Sequence, residues 1–319
     1  MPDHQTFPKI AVIGGAGAVG ATSAYALLIS GLASEIVLVD SNARRAEGEA
    51  LDLAQGTPFV RPVTVRSGSY ADCAGAQVIV LTAGAARKSG ESRLDLLKRN
   101  VEIFREVIPQ VAAAAPESIL LVIANPVDAL TYVAWKLSGF PAGRVLGSGT
   151  VLDTARLRAL IGQRLAVDPR SVHAYVIGEH GDSEVIVWSR AAVAGMSIDE
   201  FCAQRGGNCG RDIQAEIAHQ VRYAGHEIIQ RKGATYYAIG LGVRHIVESI
   251  LRDQNTILTL STLLTGQLGV KDICLSLPTV VDRGGVEAVL APVLSEEEAI
   301  AFERSAQVVG DITRAAGLS

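Results

Sequence analysis

The feature that most constrains this 319-residue chain is a glycine-rich turn between a strand and a helix near its start. Residues 9–14 are predicted to form a buried strand and 21–29 an apolar helix, and a second apolar strand over 35–40 ends in Asp40. G-x-G-x-x-G glycines in this context let backbone amides approach a pyrophosphate at the positive end of a helix, while the acid binds ribose hydroxyls. A dinucleotide-binding unit is therefore predicted; the alternative is a tight turn without a ligand. The three glycines are Gly15, Gly17 and Gly20.

Asp40 also sets the expected cofactor. Its negative charge would repel a 2′-phosphate, which favours NAD over NADP. Arg44 and Arg45 follow closely enough in the sequence to temper that repulsion. We therefore expect NAD.

The remaining apolar segments predict the fold class. Strands are predicted over 77–82, 119–123 and 144–146, and helical stretches alternate with them. This alternation is typical of a parallel sheet with helices on both faces. The prediction is an α/β protein with a Rossmann-type doubly wound parallel sheet over residues 1–147. An α+β catalytic domain is predicted over 148–319.

Composition excludes two classes of partner. The net charge is -4 and the pI about 5.9, so no basic surface for nucleic acid or an anionic membrane is expected. The mean hydropathy is +0.28. Polar residues interrupt the apolar run over 19–39, however, so buried parallel strands explain this value better than a membrane span.

The cysteines and histidines predict neither a disulfide nor a metal site. The cysteines have no metal-ligand spacing, and no export signal is visible at the start, so reduced thiols and a cytoplasmic location are expected. His226 and Glu227 match the first half of a zinc-protease motif, but Gln230 replaces its second histidine. No metal is predicted. The four cysteines are Cys73, Cys202, Cys209 and Cys274.

Candidate catalytic residues lie in the second half. His180 stands between two glycines after an apolar strand over 174–177, where a side chain that titrates near neutrality can carry a proton. A lone histidine is more often structural, so a catalytic role for His180 depends on the other residues that accompany it. Asp153 and Arg156 are three apart and share a helix face, whereas Arg158 lies about 200° around the helix from Arg156. The two arginines therefore predict two separate sites.

Together these segments resemble the L-lactate/L-malate dehydrogenase family over essentially the whole chain. The resemblance implies that His180, paired with Asp153, is the acid/base and that Arg156 clamps the substrate carboxylate. It also implies that Arg93 polarises the reacting carbonyl, where hydride transfer places negative charge on oxygen. Asn125 and Thr235 are implied as substrate contacts, and Asn125 and Ser148 as cofactor contacts. The matching segments are 15–20, Asp40, 83–93, 124–128, 147–156, 178–183 and 233–237.

The substrate prediction depends on Arg87. In the resemblance it occupies the loop position that meets the variable end of the substrate, where malate enzymes carry arginine and lactate enzymes glutamine. A buried arginine facing the methyl group of pyruvate would remain unpaired, at a cost of roughly 3–5 kcal/mol. Malate/oxaloacetate is therefore the preferred couple. Other residues resemble the lactate branch, which leaves lactate dehydrogenase, or an enzyme accepting both couples, as alternatives; these residues are 148–150, Glu91, 94–97 and Thr235. The alternative for Arg87 itself is a solvent-facing residue on an open loop.

Two further predictions follow from the resemblance. Arg158 and His173 resemble the pair with which allosteric bacterial lactate dehydrogenases bind fructose 1,6-bisphosphate, the alternative being ordinary surface or interface residues. A homotetramer, or at least a dimer, is also implied. A non-catalytic NAD-binding sensor with the same fold is the rival from another class, and the presence of the whole catalytic set argues against it.

Overall fold

The computed structural model describes residues 8–85, 90, 92–205 and 209–317, without the side chain of Arg93. Its first half consists of parallel strands connected by helices. The strands are β1 (Lys9–Ile13), β2 (Glu35–Val39), β3 (Thr64–Ser67), β4 (Val78–Leu81), β5 (Ile119–Val122) and β6 (Val145–Gly147). The helices are α1 (Ala18–Ser30), α2 (Ala43–Gln55), α3 (Arg93–Ala114) and α4 (Val127–Ser138).

The second half has helices, short strands and a long antiparallel pair. Its helices are α5 (Val151–Leu165), α6 (Ile198–Gln204), α7 (Arg211–Lys232), α8 (Tyr237–Leu251) and α9 (Glu296–Ala315). Its strands are β7 (Val172–His173), β8 (Val176–Ile177), β9 (Val185–Ile186), β10 (Ala192–Val193), β11 (Met196–Ser197), β12 (Thr256–Thr265), β13 (Lys271–Asp282) and β14 (Gly285–Val289).

One sheet runs through both halves. Its strand order is β14-β13-β12-β6-β5-β4-β1-β2-β3 within the described residues. The six parallel strands are joined at β6 by β12, which pairs antiparallel with it through Ser261 and Gly147. The predicted boundary between residues 147 and 148 falls between β6 and α5. The sheet crosses this position, so the two halves share a framework.

Helices cover both faces of the parallel strands because those strands are apolar on both sides. Ala11 and Ile13 of β1 belong to a core with α3 and α4, whereas Ile10 and Val12 belong to a second core with α1 and α8. Alternate residues of a strand point to opposite faces, so a single strand contributes to both cores. The doubly wound prediction is confirmed.

The predicted strands are confirmed within one residue at each end for β1, β2, β4, β5 and β6. The segment predicted as a strand over 174–177 forms only the two-residue β8. β3 and the β12–β14 extension of the sheet were not predicted. Extended strands that pair across long sequence separations leave no local signal of which sheet they join.

The prediction of reduced cysteines is wrong for one pair. Cys202, in α6, forms a disulfide with Cys209, just before α7. Their Cα atoms are 6.1 Å apart, a normal spacing for such a bond. Their spacing along the chain gave no signal of this pairing. Cys73 and Cys274 are free and buried.

Candidate active site

The glycine turn after β1 packs too closely for side chains. The amides of Gly14 and Gly15 both donate to the carbonyl oxygen of Val39, at 2.8 and 3.1 Å, which holds the turn over the end of β2. A Cβ at Gly20 would collide with the carbonyl oxygen of Gly14. No side chain caps α1, which begins after Gly17, so its first amides are left for an anion.

Asp40 lies at the same edge of the sheet. Its Oδ2 accepts from the amide of Ala16 at 3.0 Å and its Oδ1 from the amide of Asn42 at 2.9 Å. Asp40 lines a cavity of about 340 Å³ together with Gly14 and Gly17. An ionised carboxylate has about four acceptor positions, so ribose hydroxyls can still bind. The bare glycine turn and this acceptor fit the pyrophosphate and ribose of a dinucleotide.

A second cavity, of about 240 Å³, collects residues from both halves of the chain. It opens beside the carboxyl ends of β5 and β6, where ligands bind in folds of this type. Its lining residues include Asn125, Ser148, Asp153, Arg156, His180, Glu184 and Thr235.

His180 and Asp153 form a short hydrogen-bonded pair in this cavity. Nδ1 of His180 lies 2.5 Å from Oδ2 of Asp153, while Oδ1 of Asp153 accepts from Nη1 of Arg156 at 2.8 Å. Asp153 is in the first turn of α5 and is only 2% exposed. One buried carboxylate therefore orients both the imidazole and the guanidinium.

The charges of this triad favour a protonated histidine. The negative charge of Asp153, reinforced by its hydrogen bond and opposed by burial, raises the pKa of His180 to about 9. Burial opposes ionisation of Asp153, but His180 and Arg156 outweigh it and lower the pKa of this carboxyl. The pair is thus an imidazolium and a carboxylate at neutral pH.

Glu184 and Arg222 also line the cavity, although the sequence assigned neither a role. Glu184 is 5% exposed, and its Oε1 has no hydrogen-bond partner. Burial raises the pKa of Glu184 to about 8, with the charge of Asp153 adding to the effect. Arg222 reaches the site from α7, and its Nη2 donates to the backbone oxygen of Glu184 at 3.4 Å.

Asn125, Ser148 and Thr235, which the family resemblance implied as substrate or cofactor contacts, also line the cavity. Asn125 follows β5 and is joined to Pro126 by a cis peptide bond. Its backbone oxygen accepts from Nδ2 of Asn100 at 2.7 Å. The amide of Ser148 donates to the carbonyl oxygen of Val122 at 2.9 Å, which places Ser148 at the end of β6.

The two loop arginines are placed only in part. Arg93 is the first residue of α3, and Oγ of Ser92 caps this helix start by accepting from the amide of Asp95 at 3.1 Å. The side chain of Arg93 and the whole of Arg87 lie outside the described residues. Their roles stay predictions.

Arg158 is held away from the His180 cavity, as predicted from the helix rotation. Its Nε donates to the carbonyl oxygen of Ala174 at 3.1 Å, and its guanidinium lies 5.3 Å from the ring centroid of Tyr175. His173, in β7, is exposed and adjacent to Ala174. Arg158 and His173 are therefore brought into the same neighbourhood.

Among residues 8–85, 90, 92–205 and 209–317, no helix is both long enough and apolar enough to span a bilayer. In the same ranges no group of three or more histidine, cysteine or acidic side chains is arranged to hold a metal ion.

Two family models match nearly the whole chain. Residues 8–147 match the lactate/malate dehydrogenase NAD binding domain, and residues 150–314 match the lactate/malate dehydrogenase alpha/beta C-terminal domain. The chain belongs to the lactate/malate dehydrogenase family. It is therefore an oxidoreductase that uses NAD, which confirms the predicted family and cofactor.

Two similar proteins are named as lactate enzymes. An L-lactate dehydrogenase of Thermoanaerobacter sp. strain X514 is 52% identical over 304 residues, covering 95% of this chain and 97% of that protein. One of Acetivibrio thermocellus is 50% identical over 315 residues, covering 98% and 99%. The malate preference inferred from Arg87 finds no support in these names, which favour the lactate alternative.

Solved structures agree on the family fold. The ligand-bound crystal structure of the minor L-lactate dehydrogenase from Enterococcus mundtii superposes with a TM-score of 0.93 at 42% identity, covering 97% of this chain and 98% of that one. A lactate dehydrogenase from a Medee basin deep-sea metagenome library gives 0.94 at 41% identity, covering 97% and 99%. The α/β fold with a Rossmann-type first half is thereby confirmed.

Proposed function

We propose that this protein is an NAD-dependent L-lactate dehydrogenase that interconverts pyruvate and L-lactate. The observation that carries the proposal is the joint placement of His180, Asp153 and Arg156 in one cavity between the halves of the chain. When bound, NADH supplies the hydride for the carbonyl carbon of pyruvate. The protein supplies the proton, the charge stabilisation and the orientation.

Arg156 is the proposed clamp for the substrate carboxylate. Asp153 engages Nη1 of Arg156, and a guanidinium can hold a carboxylate through two parallel hydrogen bonds. Such a clamp fixes the direction from which the carbonyl meets the nicotinamide. Asn125 and Thr235 are proposed to complete the substrate contacts, and Ser148 to contact the cofactor.

His180 is the proposed proton donor. As negative charge develops on the substrate oxygen, the imidazolium transfers its proton there, and the reverse reaction returns it to the neutral ring. Asp153 stabilises the charged ring before the transfer and holds its orientation throughout. Arg93 is proposed to stabilise the same oxygen. Asp40 is proposed to favour NAD over NADP.

Arg87 favours a second activity with oxaloacetate, whose additional carboxylate would pair with it. The test compares initial rates of NADH oxidation with pyruvate and oxaloacetate for the native chain, Arg87→Gln and the control Lys88→Gln. We expect pyruvate to be the better native substrate and Arg87→Gln to lower kcat/KM for oxaloacetate by about tenfold or more. Lys88→Gln should change both values little. The proposal would be refuted if the native chain reduced neither pyruvate nor oxaloacetate.

Arg158 and His173 are proposed as an effector site for fructose 1,6-bisphosphate. Arginine and histidine side chains suit phosphate, and the Arg158 neighbourhood is separate from the His180 cavity. The bisphosphate should lower the pyruvate concentration for half-maximal rate in the native chain but not in Arg158→Gln. An unchanged rate curve at millimolar effector would reject this site.

Three coarser expectations remain proposals. We infer a cytoplasmic location, a homotetramer and a division between residues 147 and 148. The Cys202–Cys209 disulfide removes one support for the location, because cytoplasmic thiols are normally kept reduced.

A further inference from the structure

We propose that Asp128 is a positioning residue for the acid/base histidine: its buried carboxylate fixes the backbone of His180 and stabilises the positive charge of its ring. The inference deepens the proposed function, since it takes His180 as the proton donor. Asp128 belongs to the matched 124–128 segment, but nothing in the sequence assigned it a task.

The contacts of Asp128 join three separate segments. The residue lies in the first turn of α4 and is 3% exposed. Its Oδ2 accepts from the backbone amide of His180 at 2.8 Å, and its Oδ1 accepts from Oγ of Ser261, in β12, at 2.6 Å. One carboxylate therefore ties the cofactor half to the histidine loop and to the strand that extends the sheet.

These contacts complement those of Asp153. The loop leaves β8 at Gly178, which has a φ of 85° and exchanges backbone hydrogen bonds with Ser276 at 2.9 and 3.0 Å. Asp128 then fixes the main chain of His180, and Asp153 fixes its ring at Nδ1. The direction of the free ring nitrogen depends on both carboxylates, because neither alone holds main chain and ring together.

The charge of Asp128 acts on the same ring. Burial raises the pKa of Asp128 to about 6, against the opposing effects of Ser261 and His180. The carboxyl is thus ionised above neutral pH, where its charge adds to that of Asp153 in raising the pKa of His180. Within the described residues, the other charged or titratable groups around this cluster include Arg156, which lowers the pKa of His180, and Glu179, which raises that of Asp128. They also include Glu184 and the buried thiol of Cys274, whose pKa is raised by burial and by the charge of Asp128.

The test is an NMR titration of the His180 ring in the histidine-labelled full chain, with the signal assigned by its loss in His180→Gln. Asp128→Asn keeps an acceptor for the His180 amide and removes the charge. We expect its His180 pKa to fall by about half to one unit. The control Ser261→Ala removes a hydrogen-bond donor but keeps the charge, so its His180 pKa should match the native value. Equal pKa values in Asp128→Asn and the native chain would overturn the proposal.

A second measurement uses the native chain alone, so it does not depend on whether a variant folds. In the native chain the His180 signal should show a smaller inflection near pH 6, where Asp128 takes up its proton. A flat signal through that range would also overturn the proposal. Neither titration depends on turnover, so a chain inactive towards pyruvate would refute the proposed function without deciding the role of Asp128.

Kinetics separate this role from a merely structural one. The alkaline limb of kcat/KM for pyruvate reduction should move to lower pH in Asp128→Asn. If the pKa of His180 falls by about 0.8 unit, kcat/KM at pH 9 should be about threefold to fourfold lower than the native value through this shift alone. A loss of kcat/KM of equal size at every pH would contradict the proposal that the charge of Asp128 stabilises the protonated ring of His180.

Discussion

Oδ2 of Asp153 lies 2.5 Å from Nδ1 of His180, and the other oxygen of the same carboxylate holds Arg156 at 2.8 Å. This one buried carboxylate connects the proposed proton donor with the proposed anion clamp. Its charge also sets the pH range in which the histidine is protonated, because it is the largest contribution that raises the pKa of His180 to about 9.

Asp153→Asn should therefore lose activity in a pH-dependent manner. If the pKa of His180 falls from about 9 to its ordinary 6.5, the protonated fraction at pH 8 falls about 30-fold, while at pH 5.5 it hardly changes. The measurement is kcat/KM for pyruvate across this range. Asp168→Asn, which changes an exposed carboxylate paired with Arg170, is the control and should leave the profile unchanged. A loss that is constant with pH would show that Asp153 only positions the ring.

Glu184→Gln should stabilise the protein increasingly as pH rises. The folded pKa of Glu184, about 8, lies above its ordinary 4.5, so the native fold binds this proton more tightly than the unfolded chain. The contribution of Glu184 to the free energy of unfolding is complete below pH 4.5. This contribution, of up to a few kcal/mol, is lost as pH rises through 8. Thermal unfolding at pH 5 and pH 8.5 measures the difference. The exposed Glu102→Gln should show none, and an equal change in Tm at both pH values for Glu184→Gln would refute the account.

Gly20→Ala should damage the cofactor site. The added Cβ would collide with the carbonyl oxygen of Gly14, so the turn must move. We expect at least about tenfold weaker NADH binding and about 1 kcal/mol or more of lost stability. Gly48→Ala is the matched control: its Cβ meets nothing within 4 Å, and replacing a mid-helix glycine should stabilise by about 0.5–1 kcal/mol. Fluorescence titration with NADH and melting curves would check both, and similar behaviour of the two variants would contradict the close packing.

Reduction of the Cys202–Cys209 disulfide should lower stability by about 2 kcal/mol, because a short loop is no longer closed in the unfolded chain. Melting curves with and without dithiothreitol test this, and the Cys202→Ser/Cys209→Ser double variant should not respond to the reductant. Titration of the unfolded, unreduced native chain should find only the thiols of Cys73 and Cys274. If this titration found all four cysteine thiols free before reduction, it would contradict the presence of the disulfide.

The sequence alone predicted those site features that are set by residues close together in the chain. The turn through Gly15 and Gly20 could be predicted because it depends on neighbouring residues. The same holds for the opposite directions of Arg156 and Arg158, which follow from helix geometry alone. The pairing of His180 with Asp153 came from the family resemblance, since no local pattern connects them.

The rest depends on contacts between distant segments. Ser261 of β12 reaches both Gly147 and Asp128, and Arg222 reaches Glu184 from α7. Long-range pairing of this kind is set by tertiary packing and leaves no periodic trace in the chain. The malate preference inferred from Arg87 is not supported by the relatives. That inference gave one charge more weight than the several segments that resemble lactate enzymes.

The central claim is that protonated His180 donates the proton that accompanies hydride transfer. Single-turnover oxidation of bound NADH by pyruvate, compared in the native chain and His180→Asn over pH 6–10, tests it most directly. The native rate should fall on an alkaline limb near pH 9, and His180→Asn should be at least about 10³-fold slower and lack that limb while still binding NADH. A variant rate within tenfold of the native one, with the alkaline limb retained, would contradict the account.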